Sequence, residues 1–248
     1  MTNKIDVYLL PERWRVLSGS WLKVIAMVSM TIDHVAAYLL RYDSDFTTTL
    51  FTVGSKQVSW CFLMRSIGRL AFPLFAFLLV EGFLHTHDRM KYGRNLLVFA
   101  LFSEIPYDLV RHGHLFAAGQ NVFFTLFLGF LALWAVSKWE EGKYSPTRLT
   151  IMLFSMIGAG ILLCSDYGSY GVSFILLLYV LRQNRIFQAA IGFCFLSRRW
   201  IAGLAFIPIN LYNGLRGFIQ GPIGKYIFYL FYPLHLLAIY FVRRIILS

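Results

Sequence analysis

The stretch Trp21–Leu40, WLKVIAMVSMTIDHVAAYLL, is largely apolar, yet it holds Thr31, Asp33 and His34. A helix of about 20 apolar residues crosses the ~30 Å hydrocarbon core of a bilayer. A charge near the centre of such a helix costs roughly 2.5–3.5 kcal/mol on insertion scales, so charged groups there face an interior or a wet cavity. The stretch therefore predicts a membrane helix, and with it a polar interior that receives the aspartate and the histidine.

The rest of the chain reads the same way. Of its 248 residues, 58% are hydrophobic and only 14% are charged, far below the roughly one quarter usual for soluble domains. Further apolar runs lie at Trp60–Leu84, Leu96–Val110, Val122–Trp139, Leu149–Cys164, Val172–Leu181, Ile186–Leu196, Trp200–Tyr212 and Tyr226–Val242. The pattern predicts an all-α fold, a polytopic integral membrane bundle of about nine helices, some of them short or kinked. No linker, charge block or repeat divides the chain, so residues 1–248 read as one membrane-embedded domain. Residues 1–19 read as an interfacial arm with Trp14 and Leu17 toward lipid. No removable signal peptide is expected, because Asp6, Pro11 and Glu12 interrupt the first residues and no small-residue cleavage site follows. Cys61, Cys164 and Cys194 are scattered and odd in number, which supports neither a disulfide framework nor a zinc site.

The net charge of +11 is read as membrane topology and not as nucleic-acid binding. With a cytoplasmic N-terminus, inner segments carry thirteen of the 23 Lys and Arg residues and outer segments seven. That excess follows the positive-inside rule. The inner set includes Lys4, Arg89, Lys91, Arg94, Lys138, Lys143, Arg216 and Lys225; the outer set includes Arg198 and Arg199.

This topology sets the buried polar residues at similar depth. Asp33 and His34 fall in the outer half of the first helix. Arg65 and Arg69 fall in the outer half of the second, and Glu104 and Asp108 in that of the third. Each of the last two pairs is four residues apart, which puts its members on one helix face. Asn121 starts the next helix on the outer side, Asp166 and Tyr170 lie in the outer turn CSDYGSYG, and His235 is near the middle of the last helix. A single pair of this kind reads as a structural ion pair, whereas charges and two histidines from several helices read as a site. Pro73, Pro106 and Pro233 stand close to these clusters, and broken helices at membrane depth need other partners or a cavity.

The segments LKVIAMVSMTIDHVAAYLL, IGRLAFPLFAFLLVEGFLHT, SEIPYDL, NVFFTLFLGF, DYGSYGV, LYNGLRG and YIFYLFYPLHLL together resemble the TraX family, in order from about Leu22 to Leu237. The namesake of that family acetylates the N-terminus of F-type pilin. The resemblance implies a multi-pass acetyltransferase of the bacterial cytoplasmic membrane, with acetyl-CoA as co-substrate. It would transfer to an amine acceptor such as a pilin or other peptide N-terminus, or an amino sugar of a cell-surface glycan. Amine acetylation needs a base for the amine proton and a donor for the thioester oxyanion. His34 is the preferred base, with Asp33 or Glu104 orienting it; His235 is the alternative base. Arg69, Asn121 or Tyr170 is available to the oxyanion, and Asp108, Asp166 and Tyr232 join Asn121 and Tyr170 as substrate contacts. No serine or cysteine carries a nucleophile-elbow signature.

Because acetyl-CoA is cytosolic, its phosphates are expected at the inner rim, on Arg216, Asn213 and Gly217 of LYNGLRG and on Lys91 and Arg94. Glu81, His85, His87 and Asp88 of EGFLHTHDR match no strong metal motif, so no metal is expected. Two other classes fit the pattern less well. A proton-coupled transporter also lines its midplane with charges, but no inverted repeat relates the two halves of this chain. A non-catalytic pilus or conjugation assembly protein has no need of so many charges at one depth. The topology is testable by labelling. Single cysteines at Lys91 and Lys143 are expected to be shielded from a membrane-impermeant maleimide in intact cells; labelling of either from outside reverses the assignment.

Overall fold

A computed structural model describes residues 7–197, 200–219 and 221–246. Lys4, Arg198, Arg199 and the first six residues of the expected arm lie outside these, as does the side chain of Lys225. The chain is mostly helical. In order, the helices are α1 (Gly19–Tyr38), α2 (Ser44–Thr47), α3 (Trp60–Gly68), α4 (Ala71–His85), α5 (Arg89–Arg111), α6 (Val122–Glu140), α7 (Pro146–Leu162), α8 (Gly168–Val180), α9 (Arg185–Phe195), α10 (Trp200–Gly203), α11 (Phe206–Asn210) and α12 (Gly221–Ile246). A two-stranded antiparallel hairpin, β1 (Phe51–Val53) and β2 (Lys56–Val58), precedes α3. The all-α expectation missed it. Its signal is short but present: β-branched Thr52, Val53 and Val58 flank a turn at Gly54, whose φ of 62° suits glycine.

Among the described residues, four helical stretches are long and apolar enough to cross a membrane: Gly19–Tyr42, Trp60–His85, Val122–Glu140 and Tyr226–Ile246. The expectation of about nine spans is not met by length and composition. Pro146–Leu162, Gly168–Val180 and Arg185–Phe195 have 17, 13 and 11 residues, which at 1.5 Å per residue reach about 26, 20 and 17 Å. The run at Trp200–Tyr212 divides into α10 and α11, each a turn or so long.

The prolines act differently from one another. Pro73 lies in the first turn of α4, where its missing N–H is no loss, and the chain breaks just before it at Arg69 and Leu70. α5 runs on through Pro106 and α12 through Pro233. Among its described residues before α1, the N-terminal arm forms no α-helix. It holds one 3₁₀ turn, Glu12–Trp14, with Trp14 exposed, while Leu17 forms an isolated parallel bridge with Tyr212.

Cα packing separates two compact units, each drawn from three stretches of chain. The first comprises Met1–Leu9, Ala76–Ile105 and Phe116–Phe195; the second comprises Leu10–Phe75, Pro106–Leu115 and Leu196–Ser248. In the first, α6 packs against α7 and α8, and α8 against α9. α6 is apolar on all sides, as a central helix must be: Phe130 and Leu133 are fully buried, and Leu128 and Ala132 pack with Val172. In the second unit α1 packs against α3 and α12.

The start of α6 shows how the first unit holds a polar group. Asn121 is fully buried. Its Oδ1 accepts from Phe123 N at 2.9 Å and so caps α6, and its Nδ2 donates to Ala100 O at 2.8 Å and to the Glu104 carboxylate. Glu104 Oε1 also accepts from Asn121 N at 2.8 Å. Loss of an N-cap costs about 0.5–2 kcal/mol, and a buried acceptor left without its donor costs about 1–3 kcal/mol more. Asn121→Ala is therefore expected to lower unfolding stability in detergent by about 2 kcal/mol or more. Asn121→Asp, which keeps the cap oxygen but sets a second carboxylate against Glu104, is expected not to rescue it. Unchanged stability in both variants rejects the capping account.

Candidate functional site

The site is built on the contact between α1 and α3 in the second unit. Gly68 sits against Asp33 so closely that a Cβ at residue 68 would lie 2.6 Å from Asp33 Cγ. Small residues permit this approach: Ser29 Oγ donates to Ile67 O at 2.6 Å, and Cys61 Sγ lies 3.5 Å from Ala36 O. Thr31, the third polar residue of TIDH, donates to Met27 O of its own helix at 2.9 Å. Asp33 Oδ2 meets Arg65 Nη1 at 3.3 Å. The charge of the aspartate is thus answered from α3.

His34, one residue on, turns to another neighbour. Its Nδ1 lies 2.7 Å from Nε2 of His235 on α12, and the two rings are parallel to within 4°. His235 is 8% exposed, and its Nδ1 lies 2.8 Å from Phe231 O. Aromatic rings surround the pair. Phe231 lies parallel to His235 at 4.9 Å, Tyr232 presents an edge to both histidines, and Tyr38 lies 5.7 Å from His34. Two imidazoles in one hydrogen bond, walled by aromatic carbon, can take up a single proton and share it.

Other expected residues belong to the same unit. Tyr232 is 5% exposed, Asp108 is buried on α5 beyond Pro106, and Arg69 follows the last turn of α3. The LYNGLRG loop is laced to the start of α1. Gly19 N and Ser20 N donate to Leu215 O and Arg216 O, and Asn213 N donates to Leu17 O. Leu215 N is taken by Asn213 Oδ1 and Ile219 N by Ser20 Oγ, each at 2.9 Å. Of the loop's own amides, those of Asn213 and Leu215 are therefore engaged within the protein. Gly217, at φ 89°, packs against Ser18 and Ser20, where a Cβ would clash. The Arg216 side chain is exposed, and Lys23 lies 4.6 Å over the Phe228 ring.

The remaining residues belong to the first unit. The Glu104 carboxylate accepts from the backbone and side-chain amides of Asn121. Tyr170 Oη donates to Phe195 O at 2.9 Å, and the Asp166 backbone N donates to Gln120 O at 2.9 Å. Lys91 and Arg94 are exposed on α5. Glu81 of EGFLHTHDR pairs with Arg185 at 2.9 Å, each side chain 11% exposed. Glu140 pairs with Arg182 at 3.0 Å. The ammonium groups of Lys143 and Lys138 hold the Glu141 carboxyl down to about 2. Several basic residues read only as topology signals thus also neutralise carboxylates.

Sequence reading passed over Tyr38 and Phe231. The signal for each was its spacing: Tyr38 follows His34 by four residues and Phe231 precedes His235 by four, which sets each on the face of its histidine.

A family model described as TraX protein matches residues 18–243. The chain is 32% identical over 250 residues to the probable fimbrial assembly protein FimC, serogroup H1, of Dichelobacter nodosus, an alignment that covers 88% of this chain and 93% of that one. No solved structure matches the chain. A match over nearly the whole length, one that includes both His34 and His235, shows that this chain belongs to the TraX family.

Proposed function

We propose that this chain is an acetyltransferase of the bacterial cytoplasmic membrane, with its N-terminus in the cytosol. It moves an acetyl group from acetyl-CoA to an amine, such as the N-terminus of a pilin or another peptide, or an amino sugar. The observation that carries this reading is the His34–His235 pair within apolar helices. His34 takes the amine proton as the N–C bond forms at the thioester carbonyl and the C–S bond breaks. It then returns that proton to the departing thiolate. Arg69 or Tyr232 serves the oxyanion, and Asp108 contacts the acceptor. Arg216 and Lys23 are suited to the phosphates of the donor. Lys23 precedes His34 by eleven residues on α1, a rise of about 16 Å, which an extended pantetheine arm can cover.

The name of the Dichelobacter relative, a fimbrial assembly protein, favours a second reading in which the chain assists pilus assembly without catalysis. Purified protein in liposomes with labelled acetyl-CoA separates the two. Release of free CoA that requires an amine acceptor is expected. Its absence across peptide and amino-sugar acceptors favours assembly, and solute flux without acetyl-CoA favours transport. His34→Gln keeps a hydrogen-bonding side chain but is no base at neutral pH, and it is expected to slow transfer by about 100- to 10,000-fold while retaining acetyl-CoA binding. Near-normal turnover in this variant removes His34 as the base. Arg216→Ala is expected to raise KM for acetyl-CoA more than it lowers kcat; an unchanged KM takes the LYNGLRG loop out of the donor site.

A further inference from the structure

The arrangement of the two imidazoles decides more than their proximity does, because only one pattern of hydrogens satisfies it. Phe231 O is a carbonyl oxygen and can only accept, so Nδ1 of His235, 2.8 Å away, carries a hydrogen and donates. A neutral imidazole has a single N–H, which leaves Nε2 of His235 as a lone pair. That lone pair faces Nδ1 of His34 at 2.7 Å. The hydrogen between them must therefore come from His34 Nδ1. His34 has then spent its one N–H, and its Nε2 is a lone pair.

Ring geometry agrees. The centroids are 5.0 Å apart with 4° between planes. This separation matches the N···N distance plus two ring radii, so the rings meet edge to edge in one plane and are not stacked face on face. A hydrogen on His34 Nδ1 then points straight along the lone pair of its partner, the geometry a strong N–H···N bond requires.

We infer that Nε2 of His34 is the atom that accepts the proton, and that His235 is a positioning residue which holds His34 in the Nδ1–H tautomer through the chain His34 Nδ1–H···Nε2 His235 Nδ1–H···O=C Phe231. This rests on the acetyltransferase reading of His34. When Nε2 takes the amine proton, His34 becomes an imidazolium whose Nδ1–H already points at the neutral partner, and the charge is shared across the bond. Many soluble enzymes place a carboxylate behind the base histidine. Here the nearby carboxylate, Asp33, is committed to Arg65, and a neutral imidazole takes the carboxylate's place. An imidazole partner orients the base without setting another charge among apolar helices. Among the described residues, titratable or charged groups near the pair include Asp33 and Tyr38 on α1, Arg65 on α3 and Tyr232 on α12.

The tautomer can be observed apart from the reaction. The full-length protein, with ring ¹⁵N-labelled histidine and reconstituted in lipid, has six histidines; subtraction of a His34→Gln spectrum identifies the His34 signals. A protonated Nδ1 and an unprotonated Nε2 on His34 are expected at neutral pH. A hydrogen on His34 Nε2 in the unmodified protein overturns the inference, whether or not the protein transfers acetyl groups. If the unmodified protein shows the expected tautomer but no amine-dependent CoA release, the acetyltransferase reading fails and the hydrogen-bond assignment stands.

The variants address the role of His235. His235→Leu removes the acceptor for His34 Nδ1–H. It is expected to shift His34 toward the Nε2–H form and to lower kcat by about 100- to 10,000-fold. His235→Gln places an amide oxygen able to accept the same hydrogen, so it is expected to keep the Nδ1–H signature and restore at least tenfold of the lost rate. Equal rates in His235→Leu and the unmodified protein, or a Gln variant no better than Leu while its His34 spectrum is unchanged from the unmodified protein, rejects His235 as the group that sets the tautomer.

Discussion

A polar atom among apolar side chains must find its partner inside the protein, because hydrocarbon supplies none. That requirement governs the second unit. α1 carries Ser29, Asp33 and His34 along its length, and its neighbours answer each in turn: a backbone carbonyl at Ile67, the guanidinium of Arg65 and the imidazole of His235. The answers need close approach. Gly68 lets α3 come within contact of Asp33, and a methyl group there would displace the aspartate that Arg65 holds. Packing and polarity are therefore one constraint at this contact, and the histidine pair inherits its position from it.

The same requirement is met differently in the first unit. There the carboxylates find cations or caps: Glu81 with Arg185, Glu140 with Arg182, Glu141 with Arg89 and two lysines, and Glu104 with the start of α6. Arg182 and Arg185 also lie over the rings of Tyr179 and Phe77, so their planar cations are covered by aromatic surface as well as paired. Arginine suits this double use because its guanidinium is flat and forks its donors. Such pairs orient helices, and breaking one leaves an uncompensated charge. They have the character of a scaffold, whereas the histidine pair joins two neutral-capable imidazoles through a single hydrogen bond.

Under the proposed acetyl transfer, a pair of neutral imidazoles suits a reaction that needs no standing charge. Attack of an unprotonated amine on a thioester begins and ends with neutral reacting groups and passes through a charged intermediate. A base that is neutral at rest and shares its proton with a neutral neighbour answers charge only while it exists. An aspartate in place of His235 would set a standing negative charge among apolar helices. The preference for imidazole over carboxylate is thus a consequence of solvent, in the same sense that the apolar helices themselves are.

Membrane character, the helical class and the polar stretch in α1 were legible in the sequence because each depends on local composition: apolar length, the cost of charge in hydrocarbon, and spacing by four on a helix. The residues of the pair, His34 and His235, were legible as candidates for the same reason. Their partnership was not. The two histidines lie 201 positions apart, and local periodicity carries no record of which helices become neighbours. Glu104 illustrates the converse. Its spacing with Asp108 pointed to a shared face, and its carboxylate accepts from the backbone and side-chain amides of Asn121, the cap of α6. What the sequence by itself determined is which side chains could not be left alone in an apolar setting. Which partner each received, and hence which nitrogen of His34 is left as a lone pair, was decided by the tertiary structure, because hydrogen-bond direction depends on the full chain of donors and acceptors and not on any one residue.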